Sequence, residues 1–166
     1  CAAIFTPDAS GHWGSMLDSI CAVLDITLLR TVMLDDQLAA RVAAMSGTQR
    51  NRREFTQHLC SDPVLVGMFR GNDALNTMTR LTEQLKADYT ADDVRCAIIA
   101  PADVSQLSVV ESMFFGPQPL PHTATLDSCT CCLILPHAVK EKSAGKIIAQ
   151  IAAQVCMSSA CWLVCG

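Results

Sequence analysis

Charge is what this chain has least of. Charged residues make up 17% of its 166 positions, against roughly 25% in ordinary soluble domains. The net charge is −4, so the electrostatic footprint of a nucleic-acid-binding protein is missing. Arg50, Arg52 and Arg53, beside Asn51, are the one basic cluster, and a solvated loop or helix start accounts for them. Long hydrophobic runs are missing too. Asp18, Asp25 and Arg30 break the first apolar region and Lys140, Glu141, Lys142 and Lys146 the last. Neither reaches the roughly 18 to 20 unbroken apolar residues of a membrane span. A chain poor in charge that does not cross a membrane is expected to cover part of its surface with other proteins.

A second metal-type cysteine pair is also wanting. Cys129 and Cys132 in "CTCC" have CxxC spacing, but no other such pair completes a four-thiolate site. On a strand, Cys129 and Cys131 would share one face and Cys132 the other. Most of the ten cysteines sit in apolar runs, which favours buried free thiols in a reducing compartment over a secreted disulfide scaffold. No metal site is expected.

Chemistry is sparsest where an α/β protein usually keeps it. "DDVRCAIIAPADVSQLSVVESMFFG", Asp92 to Gly116, reads as a strand, a Pro-containing loop and an amphipathic helix. Between Arg95 and Asp103 it has no His, Ser, Lys or carboxylate.

What is present is a regular alternation of elements. "CAAIF" predicts a buried strand stopped by the turn "TPDASG", where Asp8 is expected to cap the entry to a helix. Met16, Ile20, Val23 and Leu24 have helical spacing within Ser15 to Leu24. Ile26 to Leu34 is a β-branched strand. A helix capped by Asp35 or Asp36 follows, with Leu38, Val42 and Met45 on one face, then a short helix over Arg53 to Leu59. Pro63 opens and Gly71 closes another strand, and Asn72 is expected to cap a helix carrying Leu75, Met78, Leu81 and Leu85. Arg95 to Ala100 predicts a fourth strand and Ser105 to Phe115 a further helix. Helices after every strand suit a parallel α/β sheet as readily as an antiparallel one.

Beyond Gly116 the proline-alternating "GPQPLPHTAT" predicts an extended spacer. Then the opening pattern returns. "CAAIFTPDASGHWGSMLDSICAVLD" and "CCLILPHAVKEKSAGKIIAQIAAQ" share a strand, x-Pro-[Asp/His]-Ala, a Gly and an amphipathic helix in one order. This internal repeat, with a start at Cys1 and an end inside an apolar run, marks the chain as an expected excerpt of a longer protein.

The turn "TPDA", the segment "SDPVLVGMFRGNDAL" and the helix "SVVESMFF" resemble a nucleoside diphosphate kinase domain. "CTCCLILPHAVKEKSAGKII" is similar to the start of the second domain in the tandem-domain ciliary branch of that family. The resemblance implies an α+β fold, a ferredoxin-like βαββαβ sandwich with an antiparallel four-stranded sheet. It divides the chain into a first domain over 1–116, a Pro-rich linker over 117–125 and a partial second domain over 126–166.

In the family a histidine takes the γ-phosphoryl group of a nucleoside triphosphate and passes it to a diphosphate, aided by cations on the phosphates. Its loop reads Arg-Asn-x-x-His-Gly-x-Asp. Matching Arg95 to the loop arginine and Phe114-Phe115 to the family's Phe-Phe sets Cys96 at the Asn, Ile99 at the nucleophilic His, Ala100 at the Gly and Ala102 at the Asp. Matching Glu111 to the family's helix Glu sets Ala100 at the His position instead. The lysine of Lys-Pro-Asp is Thr6 in the first domain and Leu135 in the second. Lys86 and Arg95 are the vestigial phosphate-side candidates, and the only tyrosine, Tyr89, does not align with the base-stacking one. His12, His58, His122 and His137 lack a local set of phosphate cations, and the Cys96 thiol has no adjacent His to ionise it.

The resemblance therefore implies a non-enzymatic protein without cofactors: a structural or interaction component of the ciliary or flagellar axoneme. Its expected partners are tubulin and other microtubule inner proteins of the doublet lumen, with no nucleic acid and no membrane, and its expected location is the cytoskeleton. Two alternatives stand beside it. One is an active kinase working through the remainder of the second domain; the other is a nucleotide-binding regulator using Lys86 and Arg95.

Overall fold

A computed structural model describes residues 1–47, 51–90, 95–117 and 132–154, together with the backbone of 163–165. Its centre is a short strand, β1 (Ala2–Phe5), buried on both faces. Side chains alternate across a strand, so Ala3 and Phe5 enter one core while Ala2 and Ile4 enter another. This is why "CAAIF" has no polar residue: both of its faces are covered.

Around β1 the sheet is antiparallel in the order β4-β1-β3-β2-β5, with β2 at Asp25–Val32, β3 at Val64–Arg70, β4 at Ile98–Ile99 and β5 at Leu163–Cys165. The order β4-β1-β3-β2 is that of a ferredoxin-like βαββαβ sandwich, so the fold is α+β and the parallel alternative falls away. Helix α1 (Trp13–Cys21), entered through a 3-10 turn at Pro7–His12, connects β1 to β2, and α4 (Ala74–Tyr89) connects β3 to β4. Helices α2 (Asp36–Met45) and α3 (Arg52–Leu59) intervene between β2 and β3, and α5 (Val104–Phe115) follows β4. These additions gave the sequence its helix-after-every-strand rhythm.

The helices fall on opposite faces. Met16, Leu17 and Ile20 of α1, Met78 and Leu85 of α4 and Ile148 of α7 (Ala144–Gln154) share one core with Phe5 and Leu65. Val42 of α2, Phe55 and Leu59 of α3 and Val110 and Phe114 of α5 share the other with Ile4 and Val66. A short helix, α6 (Pro136–Lys140), precedes α7.

Local signals explain several boundaries. The Asp35 carboxylate accepts from the Leu38 N–H at 2.8 Å, and the Asp103 carboxylate from the Gln106 N–H at 2.8 Å, each satisfying an orphan donor at a helix start. Three expectations need correction. The cap of α4 is Asp73 at φ 47, not Asn72, and its carboxylate takes a bond from Asn76 Nδ2 rather than from a backbone N–H. β4 spans two residues, not six, because only Ile98 and Ile99 have partners on β1. Residues 132–135, the described part of the expected second-repeat strand, have no ladder partner, and Leu133 and Leu135 are exposed. A strand needs a neighbour, and none is offered to this one among the described residues. The CTCC residues Cys129 and Cys131, the linker beyond residue 117, His122 and Arg50 lie outside the described residues.

Candidate functional site

The turn "TPDA" and the segment leading into β4 meet at the end of β1. Thr6, fully buried, donates its N–H to the Ala97 carbonyl at 3.1 Å and its hydroxyl to the Cys96 carbonyl at 2.6 Å. The Trp13 indole donates to the Thr6 carbonyl at 3.1 Å. The Thr90 hydroxyl accepts from the Ala97 N–H at 3.2 Å, and the Cys96 thiol donates to the Ile98 carbonyl at 3.2 Å. Each backbone polar group named here is matched within the protein, as burial requires. The turn is stitched to the loop by neutral groups, with a hydroxyl where the resemblance places a lysine.

Ile98 and Ile99 complete the seam. Phe5 pairs with Ile98 and Ile4 with Ile99. Ile98 packs with Phe5 and Leu85 on one face, while Ile99 packs with Cys96, Val110 and Phe114 on the other at 1% exposure. Ala100 is half-buried against the first of these cores. Whichever position corresponds to the family histidine, the side chain there is aliphatic and in contact with a core. At this seam the groups that hydrogen-bond are taken up holding the turn in place.

The candidate cations come from different parts of the fold. Lys86 is half-buried in the last turn of α4, Arg95 is exposed ahead of β4, and Leu135 is exposed before α6. The histidines are placed elsewhere. His12 is exposed and its ring lies 5.0 Å from that of Tyr89. His137 is exposed on α6. His58 of α3 sits 3.1 Å from an Asp8 carboxylate oxygen, although the geometry leaves its Nε2 without a directed hydrogen bond. Asp8 thus faces His58 instead of capping the helix-entry turn, a correction that no local signal foretold because 50 positions separate the two. A carboxylate this close opposes the approach of an anionic phosphoryl group to the ring.

Two thiols are held as thiols. Burial, and then the nearby Asp18 carboxylate, push Cys21 up from 9.0 to about 12. Burial and then Asp36, whose carboxylate accepts from the Cys60 thiol at 3.7 Å, raise Cys60. No group of three or more His, Cys, Asp or Glu is arranged for a metal ion among the described residues, and no helix there is long and apolar enough to cross a membrane.

This sheet order, with the "TPDA" turn and the strand-loop-helix after α4, gives the chain a nucleoside diphosphate kinase-like fold. Its structure is similar to that of the Aquifex aeolicus nucleoside diphosphate kinase in an orthorhombic crystal form, with a TM-score of 0.61 over 70% of this chain and 94% of that one. At 19% identity that likeness speaks for the fold. In sequence the chain resembles nucleoside diphosphate kinase homolog 7. It is 28% identical to the mouse protein and 27% to the rat protein over 169 aligned residues, 90% of this chain and 42% of each relative. The chain therefore spans less than half the length of the curated relatives it matches. No family model matches it.

Proposed function

We propose that this chain is a non-catalytic, structural form of the nucleoside diphosphate kinase fold. The observation that carries the reading is the aliphatic seam at the two positions that the alignments set against the family's histidine, with Ile99 buried in one core and Ala100 half-buried against the other. A phosphoryl-transfer nucleophile has to be exposed and surrounded by cations. Here the side chain is aliphatic, the lysine of the first turn is a threonine bonded to backbone, and the seam between them is filled. Loss of the nucleophile together with its supporting cation is hard to reconcile with one compensated substitution.

The finer reading places the protein in the axoneme, as a microtubule inner protein bound to tubulin and its neighbours in the doublet lumen. It is supported by the similarity of the second repeat to the tandem ciliary branch, and by a charge fraction of 17% that suits a chain covered by partners. A tagged chain expressed in ciliated cells tests it. Retention on doublets after detergent and high-salt extraction is expected; release of all of it with the soluble fraction refutes the placement.

A further inference from the structure

The α2–α3 hairpin is positively charged in a protein that is otherwise acidic. Between residues 37 and 60 the sequence has four arginines and one glutamate, whereas the rest of the chain has eight basic and fifteen acidic residues. Composition alone reads these arginines as a solvated helix start, but the structure adds three observations. First, Arg41 of α2 and Arg52 and Arg53 of α3 are exposed, and their side chains enter no ion pair or hydrogen bond among the described residues. Second, α3 begins against its own electrostatics. Arg52 and Arg53 are its first two residues, at the positive end of the helix dipole, where cations are disfavoured. Its N-cap, Asn51, makes no side-chain capping bond, and Glu54 is the one acidic residue of the first turn. The starts of α2 and α5 follow the opposite rule, with Asp35 and Asp103 bonded to backbone N–H groups. Helix stability therefore does not account for the two arginines. Third, none of the large exposed apolar side chains lies on α2 or α3, so the hairpin lacks the anchors that seat a helix in a lipid surface.

We infer that the α2–α3 hairpin docks an acidic segment of a partner protein, with Arg41, Arg52 and Arg53 as its carboxylate-binding groups. Each guanidinium presents a planar fork that matches a carboxylate. The N–H groups that a helix start leaves without intrahelical partners favour the same sign of charge. The acidic remainder of the chain repels a long polyanion such as a nucleic acid, whereas a short acidic segment reaches the hairpin alone. The inference is independent of the seam at Thr6, Cys96 and Ile99, and of whether the chain transfers phosphate.

Fluorescence anisotropy of a short, labelled polyglutamate peptide, titrated with full chain at low and then physiological salt, tests the docking. Binding that weakens as salt is added is expected. Arg52→Glu together with Arg53→Glu should lower the affinity about tenfold or more, and Arg41→Glu should act in the same direction. Arg80→Glu together with Lys146→Glu makes an equal change of charge at exposed positions on α4 and α7, and should leave the affinity nearly unchanged. The R52E/R53E variant should also melt a few degrees above the parent chain, because acidic residues suit a helix start; lost binding then cannot be put down to lost folding. A lower melting temperature for that variant would mean that the arginines serve the fold, and overturns the proposal. So does an absence of binding at low salt, an equal loss from both double variants, or tighter binding of an oligouridylate or of phosphatidylserine vesicles than of the peptide.

Discussion

Replacing Ile99 with His restores the family's nucleophile to the aligned position, and the response separates a site that lacks one group from a site that has been filled in. Ile99 is 1% exposed, paired with Ile4 across β1 and β4 and packed on Val110 and Phe114. Withdrawing a fully buried aliphatic side chain of this size costs about 2–3 kcal/mol. Burying an imidazole with no hydrogen-bond partner adds about 1–3 kcal/mol. The sum, about 3–6 kcal/mol, is a large part of a domain's usual stability of about 5–15 kcal/mol. At about 2–4 °C per kcal/mol for a chain of this length, the melting temperature should drop by about 10 °C. Circular dichroism melts measure the first effect, and incubation with γ-labelled ATP followed by assay for acid-labile phosphate measures the second. I99H should be strongly destabilised and unphosphorylated. Ala100→His covers the other alignment; at a half-buried position it should cost less and still take no phosphate. Either variant melting with the parent chain and becoming phosphorylated would refute the idea of a filled site.

Thr6→Val keeps the shape and removes the donor to Cys96, leaving a buried carbonyl short of a partner; a loss of about 1–3 kcal/mol in denaturant unfolding is expected, and an unchanged midpoint would show that the stitch contributes nothing. Asp35→Ala and Asp103→Ala each remove a side-chain helix cap and should each cost about 1 kcal/mol in the same assay. Cys21 gives a pH dependence with a definite sign. Its thiol keeps its proton to about pH 12 in the fold, against an ordinary 9.0, so the folded state binds more protons between those values. The contribution is fully present below pH 9 and is lost as pH climbs toward 12, at up to about 1.4 kcal/mol per pH unit. Cys21→Ala should flatten that slope, and an identical alkaline slope would count against it.

Much of this was legible along the chain where the signal is local. The cap at Asp35 and the apolar spacing of α1, α2 and α4 each depend on residues within a few positions of one another. Strand pairing does not, and so Arg95 to Ala100 looked like a six-residue strand although only two of those residues find partners on β1. The second repeat's apolar run likewise has strand composition but no neighbour among the described residues. At the candidate site, the absence of a histidine at Ile99 or Ala100 and of a lysine at Thr6 is plain in the sequence once the resemblance supplies the alignment. How the space is closed is not. The Thr6–Cys96 bond joins residues 90 positions apart, and the Asp8–His58 contact joins two residues the sequence treats separately. The sequence repeat was visible, whereas the close approach of α1 and α7, where a Cβ on Gly14 would meet Ala149 and one on Gly145 would meet Asp18, joins residues far apart in the chain.

Phosphoryl transfer remains the most direct test of the central claim. Full chain incubated with γ-labelled ATP, and then chased with a nucleoside diphosphate, is expected to show no acid-labile phosphate and no labelled triphosphate product. Stoichiometric acid-labile phosphate that the diphosphate removes would contradict the account, and would place a working histidine in this chain outside the seam of Thr6, Cys96 and Ile99.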